Sequence, residues 1–357
     1  MTHDLQMHPT LHTELCDLCG IRVPIVQTGM GWVAGPRLTA ATANAGGLGI
    51  LAAGTMDFEQ LETAITETRA RTDAPFGVNL RSDAPDAAAR CELLIREGVK
   101  VASFALAPDQ TLIGRLKDAG VIVIPSIGAR RHAEKVAAWG VDAVLVQGGE
   151  GGGHTGPVPT SLLLPQVVDA VDIPVIAAGG FFDGRGLVAA LTYGAAGIAM
   201  GTRFLLTTDS PVGDVVKDLY LAKTVTDTLV TTQVDGVPHR VLRTDFTERL
   251  DRGRPLTSLP RAVRNAWRFK RLSDTRWRDL LREGTGMRRS QELSWSQVVM
   301  AANTPMLLKA AMVDGRPDLG VMSSGQVVGV IDDLPSVAEL IERIVHDAEA
   351  VLKRLGA

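Results

Sequence analysis

The chain is poor in cysteine and aromatic residues, is nearly balanced in charge and has no long apolar run, and each shortage excludes a class of protein. Its three cysteines, Cys16, Cys19 and Cys91, cannot build a disulfide framework, which fits a reducing compartment. No stretch approaches the roughly 18 apolar residues of a membrane helix, and residues 1–18 are polar and histidine-bearing with no h-region. We therefore expect a cytoplasmic protein without membrane contact. A net charge of −3 over 357 residues offers no overall footprint for nucleic acid. Aromatics make up only 4%, with 2 Tyr and 8 Phe, whereas there are 37 glycines. That balance suits an α/β protein with many tight strand-to-helix turns better than a β-sandwich. The pair Cys16-x-x-Cys19, with His3, His8 and His12 upstream, lacks the second cysteine pair of a zinc site. No metal site is assigned, and residues 1–20 read as an N-terminal tail, mobile or partly helical.

What the chain does contain is rhythm. Apolar strand-like runs fall at 23–30, 47–54, 76–80, 101–107, 121–127, 143–149, 174–180 and 197–204, with amphipathic helical stretches such as 37–45, 58–70 and 129–139 between them. Strands that alternate with crossover helices run parallel, and continuous rather than alternating apolar runs are buried on both faces. Eight such units predict a (β/α)₈ TIM barrel spanning 21–208 and completed by 320–357, where 336–355 reads as a one-faced apolar helix. A doubly wound sheet is the competing fold, but no G-x-G-x-x-G follows the first strand in the right frame. After 204 the rhythm breaks. Residues 209–319 read as a basic helical insert or lid: from 240 to 290 there are 15 Lys and Arg against 6 Asp and Glu.

In a barrel the active site gathers at the C-terminal strand ends. The first strand ends in Gly29, Met30, Gly31 and Trp32, the third in Asn79 and then Arg81, and the fifth in Ser126. The sixth leads from Gln147 into Gly148-Gly149-Glu150-Gly151-Gly152-Gly153-His154, the most conspicuous stretch of the chain. Bare glycine backbone can lie against a flat or anionic ligand, and a histidine beside it can move a proton near neutral pH. Gly180, followed by Phe181 and Phe182, ends the seventh strand, and Gly201-Thr202 ends the eighth, where barrels commonly bind phosphate. The set contains no Ser-His-Asp arrangement, no metal-ligand spacing and no second histidine near the mouth. It lacks a reactive group of its own, which is the situation in which a cofactor carries the chemistry.

These residues resemble a known family. PIVQTGMGWVAG…ANAGGLGILAAG within 23–54, FGVNL at 76–80, QGGEGGGHTG at 147–156 and PVIAAGGFFDGRG…MGTRF within 174–204 are similar to the FMN-dependent barrels grouped as nitronate monooxygenases, once called 2-nitropropane dioxygenases. Flavin enoyl-thioester reductases are relatives of that group. The resemblance covers about 23–210 and resumes at 323–331. It implies that Gly29, Met30 and Gly31 lie against the isoalloxazine, and that Asn79, Ser126 and Gln147 meet its polar edge or ribityl chain. It further implies that Gly152, Gly153, Gly180, Gly201 and Thr202 cradle the phosphate region, and that His154 is the catalytic histidine.

The sequence also departs from the nitronate-oxidising pattern. It reads Thr28-Gly29-Met30 where those members have A-P-M, and Glu150-Gly151-Gly152-Gly153-His154 where they have E-A-G-G-H. A small nitronate offers a basic insert nothing to bind, whereas the phosphates of coenzyme A would pair with Arg and Lys. Through VLRT at 241–244 and SWSQ…ANTP at 294–305 the chain is similar to the actinobacterial IpdC-type flavoproteins of steroid C/D-ring degradation, whose substrates are CoA thioesters of bicyclic steroid remnants. That likeness implies an acyl-CoA pocket lined by Trp32, Phe181 and Phe182, with Arg81 for a carbonyl and Arg268 and Arg271 for CoA phosphates. NADH or NADPH is the candidate electron partner. Three alternatives stay open: nitronate oxidation with O₂, a flavin-binding scaffold without catalysis, and a basic insert that packs on the barrel or forms a homodimer contact.

Overall fold

The computed structural model describes residues 7–105, 108–252 and 304–356. His3, the last two residues of the expected fourth strand (106–107), Arg268, Arg271 and the rest of 253–303 lie outside them.

The eight expected strands form, each within its apolar run. They are β1 (Ile25–Gln27), β2 (Leu48–Ala52), β3 (Phe76–Leu80), β4 (Val101–Phe104), β5 (Ile122–Ile127), β6 (Val144–Gln147), β8 (Val175–Ala178) and β9 (Gly197–Met200), with a two-residue strand β7 (Gly153–His154) inside the glycine loop. In the order β1-β2-β3-β4-β5-β6-β8-β9 they close into a parallel barrel, and β1 pairs with β9 through Val26 opposite Ala199. The continuous apolar runs are indeed strands buried on both faces: every residue of β2 is buried. Alternate side chains diverge into two cores. Val26, Ile50, Ile124 and Ile176 fill the barrel interior, while Ile25, Leu51, Val123 and Ala177 face the surrounding helices.

Of the expected N-terminal tail, mobile or partly helical, the described residues form a helical plug. A helix over Glu14–Cys19 ends at Gly20 (φ 69°), and its Leu15, Cys16 and Cys19 belong to the same cluster as the barrel-interior residues. The Thr13 hydroxyl donates to the Ala196 carbonyl, just before β9, so the plug seals the N-terminal end of the barrel. Burial raises the thiols, that of Cys19 to about 12, so they behave as small apolar groups. At the other end of the sequence, Ser336 and Glu339 form a capping box for the helix Val337–Leu355. Its Val337, Leu340, Ile341, Ile344, Ala348 and Leu352 are buried, and it packs on the helix Gly184–Thr192.

The insert adds β-structure that its polar text conceals. Strands β10 (Thr228–Thr231) and β11 (His239–Leu242) pair antiparallel, and β11 also pairs with β7, placing His239 opposite His154 and Arg240 opposite Gly153. Helices over Asp214–Leu221, Asp245–Asp251 and Thr304–Met312 make up the helical part of the described insert. The two strands escape a sequence reading because each is only four residues long, too short to show a period against polar surroundings. Their consequence is a small sheet laid over the C-terminal mouth of the barrel.

Candidate active site

The strand ends converge on a cavity of 610 Å³ at that mouth. The barrel contributes Gly29, Met30 and Gly31 after β1, Asn79 on β3, Ser103 on β4, Ser126 on β5, and Gln147 with Gly151–Gly156 after β6. Gly180 and Phe181 follow β8, Gly201 and Thr202 follow β9, and the insert side adds His239, Thr304, Leu308, Met312, Ser323 and Gly325. All the residues expected to hold a cofactor therefore share one wall with His154. Trp32, Arg81 and Phe182 stand outside it. The Trp32 indole, at the unusual φ of 66°, donates to the Pro305 carbonyl at 3.0 Å and so ties the loop after β1 to the helix Thr304–Met312. Arg81 makes a two-point contact with Asp83 at 3.0 and 2.9 Å, and the Phe182 ring lies under the Arg185 guanidinium.

The glycine loop is held at four points. Gln147 donates through Nε2 to the carbonyls of Gly152 (3.2 Å) and His154 (2.7 Å), so its amide nitrogen serves the loop and Oε1 is its remaining polar atom for a ligand. The Glu150 carboxylate accepts from the Thr160 amide (2.9 Å) and hydroxyl (2.7 Å) at the start of the helix Thr160–Val168, where a negative charge also meets the helix dipole favourably. Arg240 of β11 donates to the Gly149 carbonyl at 2.8 Å and to the Thr228 hydroxyl at 2.9 Å. Residues 323–326 run beneath as a strap, with the Gln326 amide on the Glu150 carbonyl and the Gly325 amide on Thr202 Oγ1, both at 3.0 Å.

His154 is not alone, and the expectation of a single histidine at the mouth is corrected here. Its Nε2 lies 2.6 Å from Asp235 Oδ2, and its ring is 4.8 Å, centroid to centroid, from that of His239. His239 Nδ1 is 3.5 Å from the same carboxylate oxygen, and its Nε2 is 2.8 Å from Ser323 Oγ. His154 is open to the cavity, with 61% of its side chain exposed, whereas Asp235 retains 7% and His239 4%. Burial pushes the Asp235 carboxyl up, but the hydrogen bond to His154 and the close approach of the His239 ring outweigh it and leave that group well below the usual carboxylate range. For His239 burial prevails over the carboxylate and lowers its pKa, so the ring is neutral at neutral pH. The ligand-type atoms of the three residues lie within 4.8 Å of one another, but the 2.6 Å contact is a hydrogen-bond distance, the spacing of groups that share a proton. Only the insert's fold reveals this arrangement. The faint signal in the sequence is Asp235-Gly236-Val237-Pro238-His239, an acid and a base four residues apart around a turn.

The lining combines the polar and apolar groups that a flat, amphipathic ring requires. Asn79, Ser103, Ser126 and Gln147 form a polar arc, faced by Met30, Val33, Phe181 and Val327. Gly179 and Gly180, at φ 100° and 86°, turn the chain back after β8 with bare backbone toward the cavity, a conformation few other residues adopt.

Comparison with known proteins agrees with this geometry. A family model described as nitronate monooxygenase matches residues 12–347. A protein of Mycobacterium tuberculosis is 64% identical over 97% of this chain and 99% of its own length; it is named (3aS,4S,5R,7aS)-5-hydroxy-7a-methyl-1-oxo-octahydro-1H-indene-4-carboxyl-CoA dehydrogenase. A probable nitronate monooxygenase of Staphylococcus saprophyticus is 32% identical over 68% of this chain and 81% of its own. Among solved structures, FabK from Thermotoga maritima superposes with a TM-score of 0.79 at 35% identity, covering 96% of this chain and 98% of that one. A nitroalkane oxidase from Streptomyces ansochromogenes gives 0.75 at 28% identity, over 96% and 99%. With the glycine-lined mouth, the histidine of its sixth strand end and a family match running through barrel and insert alike, the chain belongs to the nitronate monooxygenase family of flavin-dependent oxidoreductases.

Proposed function

We propose that this chain binds FMN in the cavity and oxidises the secondary alcohol of a bicyclic, steroid-derived hydroxyacyl-CoA, with His154 as the base. The observation that carries the reading is His154 itself, exposed to the cavity on one side and hydrogen-bonded to a buried carboxylate on the other. The names of relatives at 64% and 62% identity support the substrate class: a hydroxyl on C5 beside a thioester on C4 is a β-hydroxyacyl-CoA. The apolar wall of Val33, Phe181, Leu308 and Met312 suits a fused hydrocarbon ring.

Asn79, Ser126 and Gln147 would orient the polar side of the flavin, and Gly152, Gly153, Gly180, Gly201 and Thr202 would receive its phosphate. Bound there, FMN would supply the two-electron acceptor that oxidation of the alcohol carbon requires. His154 removes the hydroxyl proton, and the Asp235 carboxylate compensates the imidazolium that forms. Arg81, Trp32 and Phe182, outside the cavity wall, would contact the acyl-CoA only at its entrance, and Arg268 and Arg271 would pair with its phosphates.

Purified protein should be yellow and release FMN on denaturation. His154→Ala should keep the flavin and lose oxidation of the hydroxyacyl-CoA. Colourless protein that takes up no FMN would overturn the reading. NADH and NADPH, offered separately, test the electron partner, and anaerobic mixing with propyl nitronate tests the nitronate activity that the 32% identical relative's name suggests.

A further inference from the structure

A histidine that carries a proton must present the correct nitrogen, and the surroundings of His154 determine which one it is. Asp235 sits in the turn between β10 and β11. Its Oδ1 accepts from the Val237 amide at 3.3 Å, which turns Oδ2 toward the two imidazoles. An ionised carboxylate can only accept, so the 2.6 Å contact requires that His154 Nε2 carry the hydrogen. In neutral His154 the lone pair is then on Nδ1, and Nδ1 is the nitrogen left for a ligand. His239 approaches the same oxygen but is buried and bonded to Ser323 Oγ at its far side, so it steadies the carboxylate without adding a second positive charge. The other titratable groups facing this corner have partners elsewhere: Glu150 of the same loop is bonded to Thr160, and Arg240 of β11 to the Gly149 carbonyl and Thr228. His132, on the rim of the cavity, meets the Arg131 guanidinium.

We propose that Asp235 is a positioning residue that holds His154 as the Nε2–H tautomer, so that Nδ1 exchanges the substrate proton, with His239 and Ser323 bracing the carboxylate from behind. The inference rests on His154 being the proton carrier. It assigns the step as transfer of the alcohol proton to Nδ1, while the Nε2–H bond to Asp235 stays intact and the hydride goes to the flavin.

The test uses flavin-loaded protein labelled with ¹⁵N-histidine, in wild-type, Asp235→Asn, Asp235→Glu and His154→Ala forms, the last assigning the His154 signals. Two-bond ¹⁵N–¹H correlation spectra at neutral pH should show His154 as the Nε2–H tautomer in the wild type and as a mixture or the Nδ1–H form in Asp235→Asn. With the bicyclic hydroxyacyl-CoA as substrate, kcat of Asp235→Asn should fall at least about 10²-fold, since a wrong tautomer in a comparable dyad costs up to ~10⁴. KM and flavin content should stay near wild type. Asp235→Glu, which keeps the charge, should retain the Nε2–H form and an intermediate kcat, and it serves if the amide variant does not fold. An Nδ1–H tautomer in the wild type, or an Asp235→Asn variant unchanged in tautomer and kcat, overturns the inference. If His154→Ala still turns over, the proton-carrier reading itself falls. If His154→Ala is dead while Asp235→Asn is unaffected, only the positioning role falls.

Discussion

One added methyl group at Gly152 should push the glycine loop off the strap beneath it, and the contacts explain why. A Cβ at that position would lie 2.5 Å from the Ser324 carbonyl carbon and 2.6 Å from the Gly325 nitrogen. Carbon contacts settle at about 3.5–4.0 Å, so loop and strap must separate by about 1 Å. The strap cannot give freely: Tyr220 donates to the Ser323 carbonyl at 2.7 Å, and the Gly325 and Gln326 amides bond to Thr202 and Glu150 at 3.0 Å. Overpacking costs about 1–3 kcal/mol, and each strained bond adds up to about 1 kcal/mol, so Gly152→Ala should cost about 2–4 kcal/mol. Its neighbour offers a contrast. Gly153 has φ 73° and nothing within 4 Å of where a methyl group would sit, so Gly153→Ala should cost only the left-handed backbone penalty of about 1–2 kcal/mol. Gly213, with open space and φ −66°, is a helix N-cap, where the loss of about 1 kcal/mol for Ala is offset by about 0.4–1 kcal/mol from the stiffer unfolded chain, so Gly213→Ala should be near neutral. Equilibrium urea unfolding at fixed flavin concentration, with flavin fluorescence reporting release, should rank the losses Gly152, Gly153, Gly213. A neutral Gly152→Ala, or a larger loss at Gly153, would refute the close packing of loop on strap.

Two further outcomes follow from charge. Charge reversal at Arg268 and Arg271 should raise KM for the CoA ester and leave that for a CoA-free thioester analogue unchanged; an equal rise for both would remove the argument for phosphate pairing. Stability should decline with acid in two windows. His239 has a folded pKa lowered by burial, so the unfolded chain binds a proton first, and stability is lost as pH falls below about 6.5. Asp235 has a depressed folded pKa, so its contribution is complete above the unfolded value near ~3.9 and is lost as pH falls through the folded one. Urea midpoints between pH 3 and 8 should show the upper decline and the onset of the lower one, and His239→Gln should remove the upper decline and weaken the lower, because His239 also helps to hold the Asp235 carboxyl low.

The barrel is readable in the sequence because its signal is local and repeated. Each strand lies in an apolar run and most of the turns are marked by glycine, so eight runs stand out, although most of them extend past the strands they contain. Residues 28–30, for example, are apolar or small enough to extend β1, yet the ladder stops at Gln27 because the next residues curve into the cavity. The plug is legible only in part. Leu11, Leu15 and Cys19 recur at helical spacing, but nothing in that short segment indicates that a barrel interior awaits it.

The sequence by itself determined the barrel, the cofactor-type mouth and the place of His154, since a glycine-flanked histidine at a strand end follows from neighbours in the chain. Only the tertiary structure decided what His154 works with. Its partner Asp235 lies 81 residues away in a turn between two four-residue strands. Those strands hold their place because β11 pairs with the loop after β6 rather than because of any strong preference of their own. Contacts of that kind depend on how separate segments dock, and no local periodicity encodes them.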